Sequence, residues 1–244
     1  MTKALAEALR FLTAMPLPFA HSGGMPSRSM LFFFPAVGAL VGCAGIAVHA
    51  LLTRFFPDQL ARVLALAFQV LVAGKFHLDG LADTADGFYG GHTKAEVLRI
   101  MSDPHVGVMG ALALIFAVLI KASLYLALPA VSWVPALLVS AALGRAGMVL
   151  ALTLPPAKAT GLAAFLGCPG SRRPAVLSGA CLVIMPLVFP GGLGWTVLLG
   201  SLGVAGAILL LAWKKIRGVT GDVCGAVNEV IECAVLASFL VRTV

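Results

Sequence analysis

The sequence predicts an all-α fold, a polytopic integral membrane bundle of about seven transmembrane helices in one domain over residues 1–244. Three observations predict it. Hydrophobic residues make up 60% of the chain and charged residues only 11%, with a mean hydropathy of +1.03. A soluble domain carries about 25% charged residues to cover its surface. Apolar stretches near the roughly 20 residues needed to cross a bilayer recur along the chain. The remaining charges gather between those stretches. This pattern excludes an ordinary soluble enzyme, a disordered protein and a nucleic-acid-binding module.

Taken in order, the first 20 residues place Lys3, Glu7 and Arg10 among apolar positions. They lack the continuous apolar run of a signal peptide and read as a short amphipathic helix on the membrane surface. The expected spans are Met30–Leu52, Leu60–Gly74, Val108–Leu128, Ser132–Leu154, Ala175–Phe189, Gly194–Trp213 and Asp222–Val241. Pro35, Pro135 and Pro186 lie inside or near span ends, where membrane helices tolerate them. Gly38/Gly42 and Gly200/Gly203/Gly206 form small-residue faces suited to helix packing. The cysteines, Cys43, Cys168, Cys181, Cys224 and Cys233, show no CxxC pairing and read as buried and reduced.

Loop charges orient the chain. Lys3, Arg10 and Arg28 precede the first span, Lys158, Arg172 and Arg173 follow the fourth, and Lys214, Lys215 and Arg217 follow the sixth. Loops at Pro129–Val131 and Pro190–Leu193 carry no charge. The positive-inside rule puts the amino terminus in the cytoplasm and, with seven spans, the carboxyl terminus outside. Arg54 and Arg62 form the one disagreeing loop.

Eight of the ten acidic residues fall in two places on this cytoplasmic face. In His77-Leu-Asp79-Gly-Leu-Ala-Asp83-Thr-Ala-Asp86-Gly, the aspartates follow i, i+4, i+7 spacing, one helix face. Each like-charge pair costs a few tenths of a kcal/mol even in water. A hard divalent cation offsets that, and Mg²⁺ suits oxygen ligands supplemented by phosphate and water. Asp79, Asp83 and Asp86 are therefore the expected metal ligands. Gly80, Gly87, Gly90 and Gly91 keep the backbone bare for an approaching phosphate. A solvated acidic face, or ion pairing with Lys75, Lys94 or Arg99, is the bland alternative.

Glu96, Arg99 and Asp103 share i, i+3, i+7 spacing on a helix expected to end at Pro104. Arg99 is suited to a phosphate, or to pairing with Glu96 or Asp103. His77 stands two residues before Asp79, a candidate base or a structural hydrogen-bonder. In the second cluster Asp222, Glu229 and Glu232 share a stripe, and Thr220-Gly221 marks a helix start with an N-cap. Amides there can receive a phosphate. Carboxylates inside a bilayer are functional candidates by default, and Arg145 is their expected basic partner. Candidate catalytic residues are thus Asp83, Asp86, Asp222, Glu229 and His77. Candidate substrate-binding residues are Arg99, Asp103, Thr220 and Arg145. Two acidic faces meeting basic loops suggest metal-assisted phosphoryl transfer. A transporter would carry its acids nearer the midplane.

The stretch Asp79-Gly-Leu-Ala-Asp-Thr-Ala-Asp-Gly resembles the signature of the cobalamin synthase family, the adenosylcobinamide-GDP ribazoletransferases. Phe11-Leu-Thr-Ala-Met-Pro-Leu-Pro, Phe33-Phe-Pro-Ala-Val-Gly, Ile100-Met-Ser-Asp, Leu143-Gly-Arg and Gly218-Val-Thr-Gly-Asp extend the resemblance over most of the chain. It implies a Mg²⁺-dependent bacterial enzyme of the inner (plasma) membrane with a cytoplasmic active site. The implied substrates are adenosylcobinamide-GDP and α-ribazole or its 5′-phosphate, joined through the ribose 3′-hydroxyl with release of GMP. The lipid bilayer is the other expected partner, and a homo-oligomer stays open. The chemistry is similar to that of CDP-alcohol phosphotransferases, but no Arg follows the first Asp-Gly at their usual distance. Pro104-His105 stands where the family has a serine and a basic residue.

Overall fold

The computed structural model describes residues 2–15, 27–73, 76–167, 172–189 and 191–241. Lys75, His21 and Cys168 lie outside them. Twelve α-helices and no strand occur among the described residues. Helix α1 (Thr2–Leu12) is amphipathic as expected, but its apolar stripe meets protein. Ala4, Ala8 and Leu12, one per turn, are buried in the core while Lys3 and Arg10 stay exposed.

A 3-10 turn (Arg28–Phe33), capped by Ser27, leads into α2 (Phe34–Leu52). The small-residue face of α2 packs on α7 (Ala130–Ala151). A Cβ on Gly42 would lie 2.9 Å from the Leu137 carbonyl, and one on Gly38 would collide with the Ala141 carbonyl. The glycines thus let two backbones touch, as the sequence suggests. Helix α3 (Asp58–Ala73) is followed by α4 (Phe76–Gly90) at 85°. Helix α5 (Lys94–Ile100) starts with a complete capping box between Thr93 and Glu96. It stops at Ile100, before the expected end, so Asp103 does not share its face with Glu96 and Arg99. Helix α6 (Val108–Ala127) turns Leu112, Ile115, Phe116 and Leu119 outward, a lipid-facing surface.

The second half holds α8 (Leu162–Leu166), α9 (Arg172–Val183), α10 (Met185–Val188), α11 (Gly192–Ile216) and α12 (Gly221–Ser238). Helix α12 is the hub, packed on α4, α6, α7 and α11. Every residue from Val223 to Glu229 is buried.

Among the described residues, four helices are long and apolar enough to cross a membrane: Arg28–Leu52, Val108–Ala127, Ala130–Ala151 and Gly192–Ile216. A fifth results if the bent α3–α4 pair counts as one span. Seven spans are expected from the sequence, and four or five helices among the described residues meet this test. Helix α9 has 12 residues before the chain breaks into the four-residue α10. Helix α12 is apolar because it faces protein, and it carries three carboxylates.

Two further expectations change. Gly203 and Gly206 on α11 face open space, so they do not pack within the described chain. Cys43 is exposed rather than buried. Arg62, counted above as a topological exception, is buried. Its Nη1 donates to the carbonyls of Tyr125 and Leu128, 2.9 and 2.5 Å away, at the end of α6. It also pairs with Asp58 at 2.7 Å and lies over the Trp133 ring. Its charge closes a helix terminus rather than marking a membrane side.

Candidate active site

The acidic face is built where α4 crosses α12. Gly80 allows it: a Cβ there would sit 2.6 Å from the Asp222 carbonyl oxygen. On the other side, a Cβ on Gly225 would lie 3.2 Å from the backbone of His77. Two glycines thus bring the first turns of both helices into contact, and Asp222 comes beside Asp79 and Asp83. The expected bare backbone for phosphate is instead a packing device. Gly87, Gly90 and Gly91 likewise accommodate Met101, Ile100 and Val97 of the α5 segment.

Asp83 is half-buried in this arrangement. Burial, then the charges of Asp222, Asp79 and Asp86, pushes its carboxyl up to about 6, with Lys158 opposing them. Burial also pushes Asp222 up, opposed by the Thr220 hydroxyl and Lys158. Neither Asp79 nor Asp83 has a hydrogen bond or salt bridge with a described residue. Asp86 differs. Its two oxygens accept from the amides of Gly107 and Gly110, at 2.7 and 2.8 Å. It tethers the first turn of α6 to α4, with one capping amide on each carboxylate oxygen.

A second set of contacts brings Lys158 to the face. Segments 155–157 and 218–219 clasp each other: the Ala157 amide donates to Val219 O at 2.8 Å, and the Val219 amide to Pro155 O at 2.9 Å. Gly218 faces this clasp, since a Cβ would lie 2.9 Å from the Ala157 nitrogen. Thr220 then caps α12, its hydroxyl accepting from the Val223 amide at 3.3 Å. Gly218-Val-Thr-Gly-Asp therefore reads physically as close approach, clasp, cap, helix start and acid. The Thr220 hydroxyl also donates to the Asp222 carboxylate. Lys158 Nζ also donates to Ser102 Oγ at 2.7 Å, tying this loop to the end of α5.

The other candidates fall elsewhere. Arg99 is exposed on α5. Asp103 accepts from the backbone amide and Nδ1 of His105 at 2.9 and 2.7 Å, an exposed local turn rather than a substrate contact. Glu229 and Arg145 belong to a buried ion layer in the bundle. Lys121 on α6 donates to Glu229 and Glu232 at 2.6 Å each, Arg145 pairs with Glu232, and Asn228 donates to both glutamates. Two cations and two anions balance there, so Glu229 and Arg145 are spoken for by protein. His77 is 1% exposed and borders a cavity of about 30 Å³ beside this layer. Its burial removes it from direct contact with a substrate hydroxyl.

Among the described residues, no three His, Cys, Asp or Glu side chains converge closely enough to enclose a metal. A hard cation held by one or two carboxylates and completed by substrate phosphates does not need such a cage. The all-oxygen donors Asp79 and Asp83, with Asp222 opposite, fit that kind of ion.

Residues 4–240 match the family described as cobalamin-5-phosphate synthase. The chain belongs to the cobalamin-5-phosphate synthase family. A relative from Azorhizobium caulinodans, named adenosylcobinamide-GDP ribazoletransferase, is 39% identical over 97% of this chain and 95% of its own length. Relatives of the same name from Chlorobaculum tepidum and Rhizobium etli are 38% and 37% identical, each over 96% of this chain and 94% of their own. No solved structure matches the chain significantly. The family assignment agrees with the motif order read from the sequence. Lys158 is the residue that sequence reasoning weighed mainly as a topology signal. A single lysine in a Pro- and Gly-bounded loop carries no spacing signal. Only the clasp reveals its place. Lys215 is similar: its Nζ donates to Gly91 O at 2.9 Å, joining the end of α11 to the α4–α5 connection.

Proposed function

We propose that this chain transfers the adenosylcobinamide-phosphate group of adenosylcobinamide-GDP to α-ribazole or its 5′-phosphate, releasing GMP. The α4–α12 crossing carries this reading, because it sets Asp79 and Asp83 opposite Asp222 with Lys158 alongside. The ribose hydroxyl of the acceptor forms a bond to the cobinamide-side phosphorus. The bond from that phosphorus to the bridging oxygen breaks, and GMP leaves with that oxygen. Asp222, whose proton affinity burial raises, accepts the hydroxyl proton. Lys158 offsets charge on the pyrophosphate. Mg²⁺ held by Asp79 and Asp83 would neutralise the pyrophosphate and raise the electrophilicity of phosphorus. Glu229, Arg145 and His77 support the crossing from within the bundle. In this reading the site faces the cytoplasm of a bacterial inner membrane, on the side of the basic loops.

The test is GMP release by purified protein given donor, acceptor and Mg²⁺. Release that requires both substrates supports the proposal. Activity with a cytidine-linked donor instead would move the chain to alcohol phosphotransfer. A transporter would release no GMP.

A further inference from the structure

A cavity of about 220 Å³ opens beside Asp222. It lies between the start of α12, the start of α4 and the loop entering α8. Phe76, Leu162, Ala163 and Val219 give it carbon walls, and Lys158 and Asp222 are its charged lining residues. Gly221 forms part of its floor: a Cβ there would lie 3.5 Å from Leu162 Cδ2 and 3.7 Å from the Phe76 ring. Gly161, at φ +100°, turns the chain into α8 and places Leu162 against this floor.

We propose that this cavity is the acceptor subsite and takes the benzimidazole base of ribazole. The inference rests on the reaction proposed above. Size is the first argument. Whole ligand pockets measure about 300–1,000 Å³, so this space suits one planar bicyclic base and excludes a corrin. Wall chemistry is the second. Guanine presents a dense edge of donors and acceptors, each costly to bury without a partner. Apart from Lys158 and Asp222, which the reaction uses, the walls offer no free side-chain partner: the Thr220 hydroxyl accepts from the Val223 amide and donates to Asp222, and Thr160 stands at the exposed rim. A benzimidazole nucleoside has no N–H on its ring and suits carbon walls with one aromatic face. Polarity along the cavity is the third. Its charged residue Asp222 sits at the α4–α12 crossing, where its backbone meets Gly80 next to Asp79. A base in the apolar part therefore directs its ribose toward the acidic face, where the hydroxyl must react.

The experiment is Thr160→Trp, a bulky side chain on an exposed loop position at the cavity rim. Steady-state GMP release is measured with each substrate varied in turn, beside the wild type. The expected result is a rise of about tenfold or more in KM for ribazole, the range for a steric change in an apolar pocket, with KM for the donor unchanged. A rise in donor KM, alone or equal to that for ribazole, overturns the assignment, and so does no change in either. Leu162→Ala gives an independent arm. It enlarges the cavity and is expected to improve turnover of a benzimidazole riboside carrying bulkier ring substituents; an unaltered preference counts against the proposal. A wild type that releases no GMP would instead refute the underlying reaction. Calorimetric titration of ribazole into wild type and Thr160→Trp then decides the subsite separately.

Discussion

Asp83 carries the most information of any single residue. Its carboxyl is pushed up to about 6 because burial and three neighbouring carboxylates disfavour its charge. A raised folded value means that the native protein holds a proton which the unfolded chain has lost. In metal-free protein this stabilisation is fully present below the ordinary aspartate range and is lost as pH rises through about 6. Thermal unfolding of metal-free protein should therefore show a Tm that falls as pH rises from about 4 to just above 6, with Asp83→Asn removing much of that slope. A divalent cation should restore Tm at pH 7.5 and lose its effect below pH 6, where it competes with the proton. A cation effect that grows as pH falls would contradict this. The i, i+4, i+7 spacing was legible in the sequence. The separate fate of Asp86 was not, because its amide partners come from a helix more than 20 residues away.

At the scale of elements, the site depends on how α4 is held. Asp86 joins it to the first turn of α6, and Gly80 joins it to α12. Asp86→Ala leaves the amides of Gly107 and Gly110 without that acceptor, a loss of capping worth about 0.5–2 kcal/mol. The expected outcome is a lowered Tm, with Asp86→Asn intermediate because one amide oxygen remains. Unchanged Tm in Asp86→Ala would show that water replaces the carboxylate at no cost. Helix existence was largely readable from apolar runs and from caps such as Thr220 and Thr93. Helix ends and crossings were less so. Gly80 looked like room for a phosphate because a single sequence does not say which backbone approaches a glycine. Asp103 looked like a helical neighbour of Arg99 because spacing alone does not show that α5 stops at Ile100.

For the whole molecule, the scarcity of charge is explained by where each charge goes. Lys121, Arg145, Glu229 and Glu232 neutralise one another inside the bundle, tying α6, α7 and α12 together. Removing one partner strands a buried charge, at a cost of about 3–5 kcal/mol. Lys121→Met should therefore unfold or severely destabilise the protein in detergent. Lys121→Met with Glu229→Gln should recover part of the loss, since the remaining charges balance again. Equal stability of the single and double variants would contradict a coupled layer. Membrane class was plain from composition, while four or five of the described helices, against seven expected spans, meet the length and apolarity test. Apolar windows do not separate a helix facing lipid, such as α6, from one facing protein, such as α12. Positive-inside arithmetic also misread Arg62, whose charge is used by carbonyls at the end of α6.

The central claim is that carboxylates from α4 and α12 act on one reacting phosphate. Single-turnover GMP release by wild type, Asp83→Asn, Asp222→Asn and the double variant tests it most directly. Groups that act as a unit are strongly non-additive. The account predicts large losses in both single variants, about a hundredfold or more, and a double variant little slower than the worse of the two. Near-wild-type release from either single variant, or strictly multiplicative losses in the double, would contradict it.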